Sequence, residues 1–386
     1  MRTRAAAALA LACGVLLAGC GSAGPAASGP APEAPPGGAP FLATSTVTAA
    51  GTWAVVVMGG SVASLNNFWQ LFVRPTGSST WKLVTPPGTP DNGGLVLAGE
   101  GRSLITGFRP SQYLTFTPLT LTANGGQAWS STGPLDGALA NVPDALAAAP
   151  GTGMLLALLT NGTAELAAPG YANWTTLATQ RSLAATPAGR RCALNDLTAA
   201  AYAPAGIPLL AGNCGHAGTV GIFAETGGTW QAAGPALPAA LASQPVRVLR
   251  LTSTASGTVA LLAVGTGPTA SLLAAWSADN GSHWALSPPL RLDGATLSSA
   301  SFGPGNTAAI VLNGGHGQAV AGPGVPWQAL PALPPGTAAL AAGPAGGFDA
   351  LAVDRTKMTA WQLAPGSTAW AETQVIDVPI QFGSSS

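Results

Sequence analysis

The sequence predicts an all-β chain: a seven-bladed β-propeller of four-stranded antiparallel blades over residues 41–386. Three observations carry that expectation. First, Trp81, Trp129, Trp174, Trp230, Trp284, Trp327 and Trp370 recur at intervals of 48, 45, 56, 54, 43 and 43 residues. Divided by seven, residues 41–386 give about 49 residues a unit, the size of a four-stranded blade. Second, 52 glycines and 34 prolines punctuate the 386 residues, and beyond residue 40 the longest run free of both is seventeen residues, 348–364. Long helices do not survive that density of breakers. Third, short apolar runs recur in phase with the tryptophans. Residues 53–59, 153–160, 207–213, 258–265 and 306–313 read as second strands, buried on both faces. Residues 68–73, 219–224 and 271–277 read as third strands. Alanine-rich stretches such as Asp144 to Ala149 have helical propensity, but Pro and Gly cut them short of the ~12–15 residues an isolated helix needs.

The first forty residues read as an address rather than as part of the fold. Arg2 and Arg4 precede a fourteen-residue apolar stretch, Ala5 to Ala18, too short for an ordinary membrane span. It ends in Leu17-Ala18-Gly19-Cys20, which resembles a bacterial lipobox. The resemblance implies a signal peptide over 1–19, a diacylglycerol on the Cys20 thiol, and anchoring at the extracytoplasmic face of the cell membrane. Residues 20–40 follow as the lipidated cysteine and a Pro/Gly/Ala-rich tether with almost nothing to pack.

Export constrains the remaining thiols. Cys13 leaves with the leader and Cys20 takes the lipid, so Cys192 and Cys214 are a natural disulfide pair in an oxidising compartment. Closing their loop contributes roughly 3 kcal/mol on the chain-entropy estimate. No further Cys or His stands at zinc-ligand spacing, so no metal is expected, and no motif asks for a cofactor. With 14 Lys+Arg, 14 Asp+Glu and only 7% charged residues, the chain lacks the clustered cations of a nucleic-acid groove.

One repeat carries a recognisable turn: Ser277-Ala278-Asp279-Asn280-Gly281-Ser282-His283-Trp284. It resembles the Asp-box, Ser-x-Asp-x-Gly-x-x-Trp, of sialidases and other BNR-type propellers. Degenerate copies stand at Thr122 to Trp129 and Glu225 to Trp230. The resemblance assigns Ser277, Asp279, Gly281 and Trp284 a structural role in the hairpin between the two outer strands, facing away from the ligand side. Taken with the leader and an Arg-to-Lys ratio of 12 to 2, the chain resembles Asp-box propeller lipoproteins of high-GC Gram-positive bacteria.

In such propellers, ligands meet the face made by second-to-third-strand turns and inter-blade connections. The repeat frame puts Arg109, Tyr113, His216, His316 and Arg355 there, and brings Cys192 and Cys214 together at its rim. His216 and His316 occupy equivalent turns two blades apart, with no matching carboxylate. A sialidase needs three arginines on a carboxylate, a Tyr nucleophile with its Glu, and an Asp acid/base. Here the Phe-Arg-Ile-Pro motif is missing from its place, and none of Glu100, Glu165 and Glu372 stands near a Tyr in the repeat frame. The expectation is therefore a monomeric, non-catalytic binding or scaffold protein for a glycan or an envelope protein, with a degenerate sialidase-like hydrolase as the alternative. The last segment, residues 374–382, has strand character and is expected to pair beside residues 42–49 and clasp the ring.

Overall fold

The computed structural model describes residues 44–59, 67–87, 94–108, 115–254, 256–343 and 346–378. The expected leader and tether, residues 1–40, lie outside them. Seven antiparallel blades follow one another along the chain. Blade 1 holds β1 (Thr44–Thr48), β2 (Gly51–Gly59), β3 (Asn67–Pro75) and β4 (Lys82–Leu83), and blade 2 holds β5 (Leu95–Glu100), β6 (Ser103–Phe108), β7 (Leu119–Thr122) and β8 (Ser130–Ser131). Blade 3 holds β9 (Leu146–Ala148), β10 (Leu155–Leu158), β11 (Thr163–Ala167) and β12 (Trp174–Thr179). Two short helices, α1 (Gln180–Ala184) and α2 (Pro187–Cys192), lead to blade 4: β13 (Leu194–Tyr202), β14 (Pro208–Cys214), β15 (Gly221–Thr226) and β16 (Thr229–Ala232). Blade 5 is β17 (Val246–Thr254), β18 (Gly257–Val264), β19 (Ser271–Ser277) and β20 (Ala285–Leu286), with β21 (Leu290–Arg291) also on β19. Blade 6 is β22 (Leu297–Gly303), β23 (Thr307–Leu312), β24 (His316–Val320) and β25 (Gln328–Ala329). Blade 7 is β26 (Thr337–Ala342), β27 (Phe348–Asp354), β28 (Lys357–Leu363) and β29 (Ala371–Asp377).

Each blade is a meander whose first strand faces the axis. Antiparallel order then fixes two faces. First-to-second and third-to-fourth turns share one, here the hairpin face; second-to-third turns and blade connections share the other, the connection face. The second strands are buried on both sides, as their unbroken apolar runs require: every residue of β10 is buried, and all but one of β18.

Alanine fills the spaces between blades. Ala199, Ala201, Ala211, Ala260, Ala274, Ala275, Ala339, Ala341 and Ala350 are all fully buried. Neighbouring sheets converge toward the axis, where larger side chains would overpack. The same composition explains Asp144 to Ala149, whose alanines serve β9 rather than a helix.

All seven in-phase tryptophans stand at or beside the start of a fourth strand. Several strap their blade to the one before it. The indole Nε1 of Trp129 donates to the Val84 carbonyl at 3.1 Å, that of Trp284 to the Ala233 carbonyl at 2.6 Å, and that of Trp370 to the Pro331 carbonyl at 3.2 Å. Trp327 donates to Ser287 Oγ at 3.2 Å. Every acceptor lies just past the outer strand of the preceding blade.

The turn before Trp284 explains its sequence. Asp279 Oδ1 accepts from Ser277 Oγ and His283 N, and Ser277 Oγ accepts from Gly281 N at 2.9 Å. Gly281 has φ +84°, and a Cβ there would come within 3.1 Å of Ala233. Blade 2 repeats the pattern with Thr122, Asn124 and Gly126 in the same parts. The third sequence copy differs: Thr226 pairs with Thr229 across a two-residue Gly-Gly hairpin.

Ring closure departs from the expectation. Residues 374–377 belong to β29, which pairs with β28 on the outer edge of blade 7, whereas β1 pairs with β2 at the inner edge of blade 1. Residues 379–382 lie outside the described set. Among the described residues no strand is shared between the two ends, since β1 and β29 each complete a four-stranded blade of their own. Side chains close the gap instead. Gln374 Oε1 accepts from Trp81 N at 2.8 Å, and Gln374 Nε2 donates to the Trp81 carbonyl at 3.0 Å. Deeper in the same interface, Arg74 of β3 meets Asp349 of β27 at 2.6 Å, with both side chains nearly excluded from solvent. Arg74 also lies over the Trp81 ring, 5.7 Å from its centroid. A core of Ala54, Val56, Phe72, Ala339, Leu351 and Met358 completes the joint.

Replacing Gln374 with Ala is expected to cost about 1–3 kcal/mol in chemical denaturation, because it strips both partners from Trp81. Gln328→Ala, on the exposed β25, should stay within about 0.5 kcal/mol.

Asp349 makes closure sensitive to pH. Burial pushes its carboxyl up from 3.8 to about 6, against the pull of Arg74 and a hydrogen bond from Trp81. The folded chain therefore holds this proton more tightly than the unfolded chain, and stability from this group falls as pH rises from about 4 to about 6. Relative to Asp349→Asn, the native chain should lose about 1–3 kcal/mol across that window and nothing further above pH 7, measured by denaturation at each pH.

Candidate functional site

A cavity of about 760 Å³ runs along the axis, walled by first strands of blades 1, 2, 5 and 6 and by the chain around β9. Its deepest described group is Arg250, in the middle of β17. Arg250 Nε and Nη2 donate to the two carboxylate oxygens of Asp144, each at 2.7 Å. Its Nη1 donates to Thr44 Oγ1 and to the Ala300 carbonyl, both at 2.7 Å. Asp144 also accepts from Leu251 N at 2.9 Å, and its carbonyl accepts from Ala200 N at 2.8 Å. The two side chains thus join blades 1, 3, 5 and 6, and the Asp144 backbone carbonyl adds blade 4. Phe302 packs on the guanidinium, 5.6 Å from ring centroid to Cζ.

Above this floor the walls are short hydroxyls and apolar groups: Thr46, Thr252, Ser253 and Thr254 beside Val47 and Leu97. Val47 is 41% exposed, unusual for a large apolar side chain here. The rim is formed by the first turns of the blades, at Ala49, Gly101, Gly151, Ser256 and Gly305. The mouth therefore opens on the hairpin face.

Titratable groups at the mouth are occupied by the fold. Glu100 Oε1 accepts from Gly151 N at 3.1 Å, linking blades 2 and 3. Tyr171, on the third-to-fourth turn of blade 3, donates its hydroxyl to the Gly153 carbonyl at 3.1 Å. Burial first, and the Glu100 charge second, raise the Tyr171 phenol above its ordinary value. The repeat frame had kept every glutamate apart from a tyrosine; the fold brings Glu100 within electrostatic reach of Tyr171, because adjacent blades share this rim. That pairing favours the neutral phenol, the opposite of an activated nucleophile.

The residues expected at a ligand site lie elsewhere. His216 follows β14, His316 opens β24 and Arg355 sits between β27 and β28, all on the connection face as the repeat frame requires. Arg109 and Tyr113 lie outside the described residues, as does Cys20. His216 is held by the Arg191 carbonyl, 2.8 Å from Nδ1. Beside it Cys192 and Cys214 form the expected disulfide, tying the end of α2 to the end of β14. Of the five expected ligand-face residues the three described ones, His216, His316 and Arg355, belong to blades 4, 6 and 7. Among the described residues no group of His, Cys, Asp and Glu could hold a metal ion, and no helix is long and apolar enough to cross a membrane.

Sequence reasoning passed over Arg250 and Asp144. The signal was present: Arg250 interrupts the run Val246-Arg247-Val248-Leu249-Arg250-Leu251 on the side that alternation assigns to the interior, in a chain with few charges.

Replacing Arg250 with Met should cost about 3–5 kcal/mol in urea denaturation, since it strands Asp144 in the interior. The double variant Asp144→Leu/Arg250→Met should lie closer to the native chain than the single one.

No protein-family model matches this sequence, and no curated protein matches it. Solved structures do resemble the fold. A protein from Lactobacillus plantarum superposes with a TM-score of 0.53 at 12% identity, covering 85% of this chain and 96% of that one. YCF48 from Cyanidioschyzon merolae gives 0.52 at 12% identity, over 85% and 97%. A putative 6-phosphogluconolactonase from Bacteroides uniformis gives 0.53 at 13% identity, over 84% and 96%. At such identities the likeness is one of fold, and what it establishes is that this chain is a seven-bladed β-propeller.

Proposed function

We propose that this protein is a non-catalytic binding or scaffold propeller that receives a glycan or a segment of an envelope protein at the mouth of its central cavity. The observation that carries the reading is the state of the charged groups there. Arg250 and Asp144 spend their hydrogen bonds on holding blades together, Glu100 gives one carboxylate oxygen to Gly151 N, and behind the rim burial raises the Tyr171 phenol. What remains for a ligand is a rigid wall of hydroxyl and apolar groups, suited to binding and not to proton or group transfer.

In this reading Cys20 carries the lipid, and the protein stands at the extracytoplasmic face of the membrane. β1 runs from Thr44, at the Arg250 floor, toward the rim at Ala49. The first described strand thus begins on the side away from the mouth. The sialidase-like turns at 122–129 and 277–284 keep a structural role on the hairpin face.

The test is retention of the full-length protein on a glycan array and on solubilised envelope proteins, with Val47→Trp in parallel. Val47 is partly exposed, so the larger ring should narrow the mouth, leave the melting temperature unchanged and weaken retention about tenfold or more. Retention indifferent to Val47→Trp would remove the cavity from the reading. Turnover of fluorogenic glycosides that disappears in Glu100→Gln would make the protein an enzyme.

A further inference from the structure

Beside the mouth, between blades 5 and 6, lies a second hollow of about 360 Å³, at the small end of the range for ligand sites. Four turns, that of Pro323 between β24 and β25 among them, and the strands beside them build it. The β17–β18 turn contributes Ser256 with Thr258 beyond it, and the β19–β20 turn contributes Asp279, His283 and Trp284. The β22–β23 connection contributes Asn306, and Trp276 of β19 lines the inner side. Ser256 also lines the central cavity, and its Oγ donates to Asn306 Oδ1 at 2.7 Å. That pair is the sill between the two spaces.

Two residues that line this hollow each carry a buried polar atom with no partner: the Trp276 indole Nε1 and the Thr258 hydroxyl. Their residues are 5% and 0% exposed. A buried donor left unmatched costs about 1–3 kcal/mol, so the fold is carrying unspent hydrogen-bonding capacity here. Around it stand an ionised carboxylate, Asp279, whose Oδ2 already holds His283 Nδ1 at 2.5 Å, and the Asn306 amide, whose oxygen is taken while its nitrogen remains a donor. Two indoles supply flat apolar surface. Among the described residues no lysine or arginine lines this hollow, and the arginine of the adjoining cavity, Arg250, is consumed by Asp144, Thr44 and Ala300. The Asp279 carboxylate makes an anion a poor match. A neutral molecule bearing several hydroxyls on a ring with an apolar face matches both the donors and the acceptors.

We propose that the hollow is a saccharide subsite that takes one ring of a neutral glycan, whose chain continues over the Ser256–Asn306 sill into the central cavity. The hydroxyls of Thr252, Ser253 and Thr254 continue the polar wall from the sill inward. The inference rests on the binding reading above and narrows it to a ligand class and a place.

The test is calorimetric titration of the full-length chain carrying Cys20→Ser with neutral tetrasaccharides: cellotetraose, mannotetraose and the β-1,4-linked N-acetylglucosamine tetramer. Sialyllactose and tetragalacturonate serve as anionic probes. Two variants address the subsite. Trp276→Phe keeps the packed ring and removes only the unmatched N–H; Asn306→Gly removes the amide at a residue with φ +63°, which glycine accommodates. The expected result is that at least one neutral probe binds, and that each variant weakens it about tenfold or more, with the Trp276→Phe melting temperature unchanged or raised. Binding of neutral probes untouched by both variants but lost in Val47→Trp would overturn the subsite while leaving the cavity reading intact. Binding of anionic probes alone, or of no saccharide while an envelope protein is retained through the mouth, would overturn the saccharide class and leave only the scaffold function.

Discussion

Arg250 holds the ring from the inside. Its guanidinium meets Asp144, Thr44 and Ala300, so four of seven blades register on one ion pair, and the Asp144 main-chain carbonyl adds blade 4 through Ala200 N. Such a pair need not raise net stability, since removing two charges from water offsets much of their attraction. Its value here is geometric. A propeller of alanine-rich sheets has interchangeable, nearly featureless interfaces near the axis, and apolar packing alone leaves the sliding of one blade past another poorly determined. A bidentate contact with fixed donors at fixed angles removes that freedom.

The perimeter solves the same problem by repetition. Each strap places an indole N–H on a carbonyl or hydroxyl just beyond the preceding blade's outer strand, and the glycines at 126 and 281 let the turn descend against Val84 and Ala233. The joint between blades 7 and 1 is built from the same place, since Trp81 again meets the outer strand of its predecessor. The difference is that the backbone of Trp81 is engaged, and by Gln374 rather than by a carbonyl. Closure without a shared strand needs something to replace the missing covalent continuity. The Gln374 clamp and the buried Arg74–Asp349 pair together do so.

Much of this was legible in the sequence, and the reasons differ by element. Tryptophan phase is visible because each indole answers to the same turn and the same neighbour. Second strands show because burial on both faces leaves unbroken apolar runs such as Thr258 to Val264. The helices α1 and α2 gave no comparable signal: five and six residues long, they are set by caps at Thr179 and Thr186 rather than by periodicity. The Cys192–Cys214 bond followed from counting thiols. The partner of Gln374 could not be read, because that contact joins positions 293 residues apart and obeys no repeat.

The cavity's orientation was the least legible feature, and one residue decides it. A propeller channel has two ends, and a repeat pattern treats them alike. Arg250 lies midway along β17, and Asp144 and Thr44 meet it from the connection side. From that level the cavity extends toward the hairpin turns. A sequence frame that places charged loops on the connection face correctly locates His216 and Arg355, yet says nothing about where the axis is plugged. Floor and mouth thus meet at a single buried arginine in a strand that alternation alone would have filled with leucine.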